Sequence, residues 1–185
     1  MSLESIVDFY KTTDLTGQDI YNLINRFPIL YSNLSKYRNL KELLTDAEPY
    51  VVILYQTSTK TNGHFVALFA DDKNIFFFDS YGIYPDGEKQ FTKFDRPLPN
   101  YLSDLIKNDG RPLIWNKIDY QSKHNNRIST CGRWSCTRIM LRHLSNEQFE
   151  RIFLGNKSKY LSNHDNVITL LTLTSLDDFD EYYSR

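Results

Sequence analysis

Cysteine is scarce in this chain, with only Cys131 and Cys136 among 185 residues. The two lie five residues apart in one predicted helix, where their side chains point to different faces and cannot easily form a disulfide. We therefore expect two free thiols and a reducing compartment.

Long hydrophobic runs and an excess of charge are also missing. The first twenty residues contain no apolar run of signal-peptide length, and no later segment approaches the length of a membrane span. We therefore expect a soluble protein that is made in the cytosol, is not secreted and has no membrane partner. The net charge of −1 and the isoelectric point near 6.4 do not support nucleic acid as a partner, and they do not support an activating peptide or DNA.

What the chain does contain is enough apolar material for one sizeable core. Hydrophobic residues make up 41% of the sequence and aromatic residues 15%, which argues against disorder. No internal repeat, linker or low-complexity tract divides it. We therefore expect residues 1–185 to form a single domain and the protein to be a monomer.

The hydrophobic pattern predicts both helices and strands. Thr16 and Asp19 resemble a capping box that opens a helix ending near Pro28. Further helices are predicted at 39–44, 99–107, 146–154 and 164–176, and strands at 50–56, 64–70, 75–79 and 112–117. The fold class predicted is α+β, with a central, mostly antiparallel β-sheet flanked by helices. The acidic end at 177–181 is expected to be exposed.

The helix that follows Thr130 offers a candidate nucleophile. Ser129 or Thr130 can cap it, and its apolar stripe includes Cys136 and His143. Cys131 then falls in the first turn, where unpaired N–H groups and the helix dipole favour a thiolate. The alternative is an ordinary core helix with a buried cysteine.

The predicted hairpin supplies a base and its partner. If Ala70 pairs with Ile75 around the turn at 71–74, His64 and Asp79 project to the same face as diagonal neighbours. A carboxylate beside a histidine holds the ring and stabilises its cation, as a catalytic cysteine requires. Taken singly, the alternative for His64 is a histidine packed in the core, and the alternative for Asp79 is a turn residue that ends a strand. The other histidines, at 124, 143 and 164, are weaker candidates.

An acyl-transfer site also needs hydrogen-bond donors for the oxyanion. The backbone N–H of Cys131 is one candidate, and the side-chain amide of Gln121 is the other. A metal site would combine His64, Cys131, Cys136 and a fourth ligand, but no pair has zinc-type spacing. We therefore expect no metal and no other cofactor.

These residues resemble a known family. The order His64, Asp79, Gln121, Cys131 is similar to that of the adenain-like cysteine proteases, within GHF at 63–65, FDSYG at 78–82 and TCGRWSC at 130–136. This family comprises the maturation proteases of adenoviruses, virophages and Polinton-type elements, related in fold to SUMO-specific proteases. The resemblance runs from about residue 50 to 145, and TGQDI at 16–20 also resembles the virophage and Polinton members.

The resemblance implies a viral cysteine endopeptidase that trims capsid precursor proteins after small residues such as Gly, often Gly-Gly. It implies a Cys131 nucleophile, a His64 base oriented by Asp79, and an oxyanion held by Gln121 and the Cys131 N–H. Such a protease acts in the host cytoplasm or virus factory and is packaged in the virion. The alternatives are an isopeptidase for ubiquitin-like modifiers and a catalytically silent binding module of the same fold.

Three departures from the family pattern stand in this sequence. Phe65 occupies a position where many members have Trp. The gap from Gln121 to Cys131 is about three residues longer than usual, which leaves Asn125 as an alternative oxyanion donor. The segment from Cys131 to Cys136 is one residue longer than the common Cys-Gly-x-aromatic-Cys pattern, which leaves the role of Cys136 open.

Overall fold

A five-stranded mixed sheet forms the centre of the fold in a computed structural model, which describes residues 2–57, 63–121, 128–154 and 164–176. The strands lie in chain order across the sheet: β1 (Ile29–Leu30), β2 (Tyr50–Gln56), β3 (Gly63–Ala70), β4 (Ile75–Phe78) and β5 (Leu113–Trp115). The two inner pairings, β2 with β3 and β3 with β4, are antiparallel. The edge strands β1 and β5 pair in parallel with their neighbours.

Helices flank the sheet, which confirms the α+β prediction. They are α1 (Leu3–Lys11), α2 (Gly17–Ile24), α3 (Leu40–Leu43), α4 (Tyr101–Asp109), α5 (Cys131–Met140), α6 (Asn146–Leu154) and α7 (His164–Leu173). Two 3-10 helices lie at Tyr31–Lys36 and Gly87–Phe91. The predicted capping box is present at the start of α2, where the Thr16 hydroxyl and the Asp19 carboxylate each accept the other residue's backbone N–H.

The central hairpin has the predicted register. Ala70 pairs with Ile75 and Ala67 with Phe78 around the turn at 71–74. Because side chains alternate between faces, this register fixes which side of the sheet each residue supplies. The sheet therefore separates two hydrophobic clusters.

One cluster packs the face of Val52, Phe65 and Phe78 against α2, α5, α6 and α7. The other packs the face of Val51, Val66 and Phe77 against α3, α4 and the first 3-10 helix. Since both faces are covered, β2 and β3 are buried almost throughout, which explains their continuous apolar sequence.

Several predicted details are wrong, and each has a local reason. α2 ends at Ile24 instead of near Pro28, because Asn25 adopts a left-handed conformation that stops the helix. Phe27 lies beyond the helix, is exposed and stacks on Tyr21. α5 ends at Met140, so His143 lies beyond it and is exposed. α1, β1 and both 3-10 helices were not predicted. The predicted exposed segment 177–181 lies outside the described residues.

We predict that Gly82→Ala destabilises the fold more than Gly110→Ala. Both glycines have positive φ, +68° and +84°, which costs a residue with a side chain about 1–2 kcal/mol. A Cβ at Gly110 would meet nothing within 4 Å, whereas one at Gly82 would lie 2.9 Å from the Ile118 carbonyl oxygen. We therefore expect Gly82→Ala to lose about 1–3 kcal/mol more unfolding free energy in urea titrations. Equal losses would contradict the close approach at Gly82.

Candidate active site

A buried hydrogen bond joins His64, near the start of β3, to Asp79, one residue past the end of β4. His64 Nε2 lies 2.9 Å from Asp79 Oδ1. His64 is 6% exposed and Asp79 is fully buried. The hairpin register brings these side chains together as the sequence predicts, and it leaves Nδ1 as the ring nitrogen available for another partner.

Hydrogen bonds hold the Asp79 backbone and one of the Asp79 carboxylate oxygens in place. The Asp79 backbone N–H donates to Asn116 Oδ1 over 2.9 Å, and Asn116 Nδ2 donates back to the Asp79 carbonyl oxygen. The Tyr81 N–H donates to Asp79 Oδ1 over 2.7 Å, and the Gly82 N–H closes the turn onto the Asp79 carbonyl. The carboxylate therefore cannot swing away from the histidine without breaking the turn.

The charge of Asp79 governs the protonation of His64. Burial alone lowers the pKa of His64, but the negative charge and hydrogen bond of Asp79, aided by a hydrogen bond with Cys131, outweigh it. The pKa of His64 is therefore raised well above its usual range.

Cys131 is the first residue of α5, as predicted, but the helix is not capped as predicted. The Thr130 side chain makes no capping bond and instead donates to Asp165 Oδ1 in α7. The Trp134 indole N–H donates to the same oxygen over 3.0 Å. The start of the helix is therefore tied to α7.

α5 is buried on all sides over Cys131–Ile139, so the predicted half-buried stripe is wrong. Arg133 donates to Thr172 Oγ1 in α7 and to the Tyr10 carbonyl at the end of α1. Arg138 lies over the Phe69 ring and donates to carbonyls just beyond the helix. Burial lowers the pKa of each arginine to about 10. These polar contacts, and not an apolar stripe alone, fix the position of the helix.

A cleft of about 480 Å³ joins the predicted site residues. His64, Gln121 and Cys131 all line it. Its other lining residues are Asp14, Thr57, Gly63, Tyr81, Ile83, Glu88, Phe91, Ile128 and Ser129. The cleft therefore brings the Cys131 thiol and the His64 imidazole to one space.

Gln121 lies in this cleft with its amide already hydrogen-bonded. Its Oε1 accepts from the Ser80 hydroxyl over 3.0 Å, while Nε2 donates to Tyr81 Oη and to the Ile128 carbonyl, each over 3.1 Å. To donate to an oxyanion, the amide must give up its hydrogen bond to Tyr81 Oη or to the Ile128 carbonyl. The alternative donor Asn125 and the candidate His124 lie outside the described residues.

Cys136 and the candidate metal ligands do not form one cluster. Cys136 is fully buried in the core, and burial raises the pKa of its thiol. In the part of the chain that the structure describes, the grouping suited to a metal is His64, Asp79 and Glu88, with ligand atoms within 4.8 Å of one another. Because His64 Nε2 is already bonded to Asp79, a metal would compete with the hydrogen bond of the pair.

Three residues of the site were missed from the sequence. Asn116 positions Asp79, Tyr81 stacks on the His64 ring, and Glu88 is buried in the cleft wall. Tyr81 and Gly82 are the second and third residues after Asp79, so the turn that contains them was visible in the sequence. Asn116 and Glu88 had no local signal, because their contacts depend on the tertiary fold.

Comparisons with known proteins give a relative in sequence and a distant structural likeness. No family model matches the chain. A solved structure of the SUMO protease Ulp1, with its catalytic cysteine oxidized to a sulfinic acid, is 16% identical, with 91% of this chain and 77% of that chain covered and a TM-score of 0.32. Within the described residues, no helix is long and apolar enough to cross a membrane.

The uncharacterized protein V9 of Sputnik virophage is 32% identical over 175 residues, which cover 89% of this chain and 97% of that protein. The alignment therefore covers nearly the whole of both chains. The chain belongs to the family of virophage proteins that includes V9.

Proposed function

We propose that this protein is a cysteine endopeptidase. The observation that carries the proposal is the buried hydrogen bond between His64 and Asp79, beside a cleft lined by both His64 and Cys131, the first residue of a helix. A nucleophile, a base and a group that orients the base are the parts that thiol-based acyl transfer requires. A binding module has no need of a buried histidine whose pKa is raised by a carboxylate.

In the proposed reaction, Cys131 attacks the carbonyl carbon of the scissile peptide bond as a thiolate. The Cys131 backbone N–H and the Gln121 amide stabilise the oxyanion that forms. His64 gives its proton to the leaving amine, and the thioester forms as the C–N bond breaks. A water molecule, activated by the now neutral His64, then releases the acid product and the thiol.

We infer that the substrates are capsid precursor proteins, cleaved after small residues such as Gly. The virophage relative supports a viral substrate, and a glycine lets a substrate backbone pass close to a buried nucleophile. Such an enzyme would act in the virus factory and be packaged with the capsid. An isopeptidase for ubiquitin-like modifiers needs the same catalytic residues and is the second candidate.

We expect Cys131→Ala to abolish cleavage of the virus's own capsid precursor while the protein still folds. Mild iodoacetamide at neutral pH should label Cys131 and spare Cys136, because Cys136 is fully buried and its pKa is raised. Peptide mapping of the labelled protein and gel analysis of the precursor measure the two results.

Cys136→Ala is the matched control, and it should keep both labelling and cleavage. Labelling of Cys136 first, or full activity of Cys131→Ala, would contradict the proposal. Processing of a ubiquitin-like precursor, with the capsid precursor left intact, would favour the isopeptidase.

We expect His64→Ala to lower kcat/KM by about 10⁴, and Asp79→Asn by about 10² to 10³. An asparagine can still hold the imidazole but lacks the charge that keeps the pKa of His64 raised. In Asp79→Asn the imidazolium should therefore lose its proton at lower pH, so the alkaline side of the pH–rate profile should move to lower pH.

The exposed His143 provides the control, since His143→Ala should leave the rate unchanged. An alkaline limb that stays in place in Asp79→Asn would show that Asp79 does not set the charge of His64.

We expect Gln121→Ala to lower kcat by about 10² to 10³ with little change in KM, because the oxyanion bond strengthens only in the transition state. Steady-state kinetics on a fluorogenic peptide ending in Gly-Gly measure the two constants separately. Asn125→Ala should be nearly silent. A large kcat defect in Asn125→Ala, with Gln121→Ala unaffected, would move the donor to Asn125 and leave the roles of Cys131 and His64 intact.

A further inference from the structure

Tyr81 touches three of the residues proposed for catalysis. Its ring stacks on the His64 imidazole, with 4.7 Å between centroids and 15° between planes. Its hydroxyl oxygen accepts a hydrogen bond from Gln121 Nε2 over 3.1 Å, and its backbone N–H donates to Asp79 Oδ1.

The ring contact limits the motion of the imidazole. A histidine held by one hydrogen bond through Nε2 can still rotate about that bond and carry Nδ1 away from the thiol. A parallel ring at stacking distance closes one face of the imidazole and opposes this rotation. The ring of Tyr81 therefore helps to keep Nδ1 directed at Cys131.

The hydroxyl contact acts on a different group. The Gln121 amide carries two N–H groups, and Tyr81 Oη accepts one while the Ile128 carbonyl accepts the other. With Oε1 fixed by the Ser80 hydroxyl, the amide plane is held on both sides. When an oxyanion replaces the Ile128 carbonyl as acceptor, the bond to Tyr81 Oη therefore keeps the amide plane in place and directs the other N–H at the oxyanion.

We propose that Tyr81 is a positioning residue that aligns the base through its ring and the oxyanion donor through its hydroxyl. This inference rests on the proposed cysteine protease function. The turn supplies the means, because the Tyr81 and Gly82 N–H groups both bond to Asp79 and so fix Tyr81 beside the pair.

Two substitutions separate the two contacts. Tyr81→Phe keeps the ring and removes only the hydroxyl, so kcat on a fluorogenic Gly-Gly peptide should fall roughly three- to tenfold with KM unchanged. Iodoacetamide labelling of Cys131 forms no oxyanion, so its rate should not change. Tyr81→Leu removes the ring as well, and labelling should then slow by roughly tenfold at pH 7, as the thiolate loses its imidazolium partner.

A double-mutant cycle ties the hydroxyl to Gln121. In a Gln121→Ala background, Tyr81→Phe should cause no further loss of kcat, because the group that it orients is gone. Tyr84→Phe is the matched control: Tyr84 is 51% exposed, packs on Trp115, and its substitution should change neither rate. The thermal unfolding of Tyr81→Leu shows whether the variant is folded under the conditions in which its labelling is measured.

The inference is overturned if Tyr81→Phe keeps the full kcat, if its loss persists in the Gln121→Ala background, or if folded Tyr81→Leu labels at the normal rate. These results leave the proposed function intact as long as Cys131→Ala is inactive. If no precursor or peptide is cleaved by the unsubstituted protein, the proposed function fails and this inference fails with it.

Discussion

The buried pair of His64 and Asp79 is the interaction on which the rest of the site depends. A carboxylate in the protein interior is costly unless it is matched by a positive charge and by hydrogen bonds. Here the imidazole and the Tyr81 N–H both bond to Oδ1. The other carboxylate oxygen, Oδ2, is buried and has no hydrogen-bond partner among the described residues. A buried carboxylate oxygen without a partner costs stability. The arrangement is therefore better suited to keeping His64 protonated than to giving the fold maximum stability.

The geometry of the pair follows from the hairpin. The pairing of Ala67 with Phe78 sets the parity by which His64 and Asp79 share a face, and a slip of one residue would place them on opposite sides. The slip is opposed by both hydrophobic clusters, since it would also exchange the residues that face them. Packing of the whole sheet therefore protects the alignment of two side chains.

The sequence predicts what is local and periodic. The turn at 71–74, the register of the hairpin and the position of Cys131 could be predicted because each depends on neighbours a few residues away. Asn116 and Asp165 were not readable, since their bonds to Asp79 and Thr130 span 37 and 35 residues. The burial of Arg133 was also hidden, because a charged residue next to a helix start ordinarily indicates exposure.

Hydrogen bonds between residues far apart in the chain also fix the position of α5. A helix with a continuous apolar stripe can slide or rotate by small amounts without leaving its groove. The Ser135 hydroxyl donates to the Phe65 carbonyl of β3, next to His64, over 3.1 Å. Directional bonds of this kind have a narrow range of good geometry, so they fix the helix against the strand that carries His64. The position of Cys131 relative to His64 is thus set in part by hydrogen bonds that lie outside the cleft.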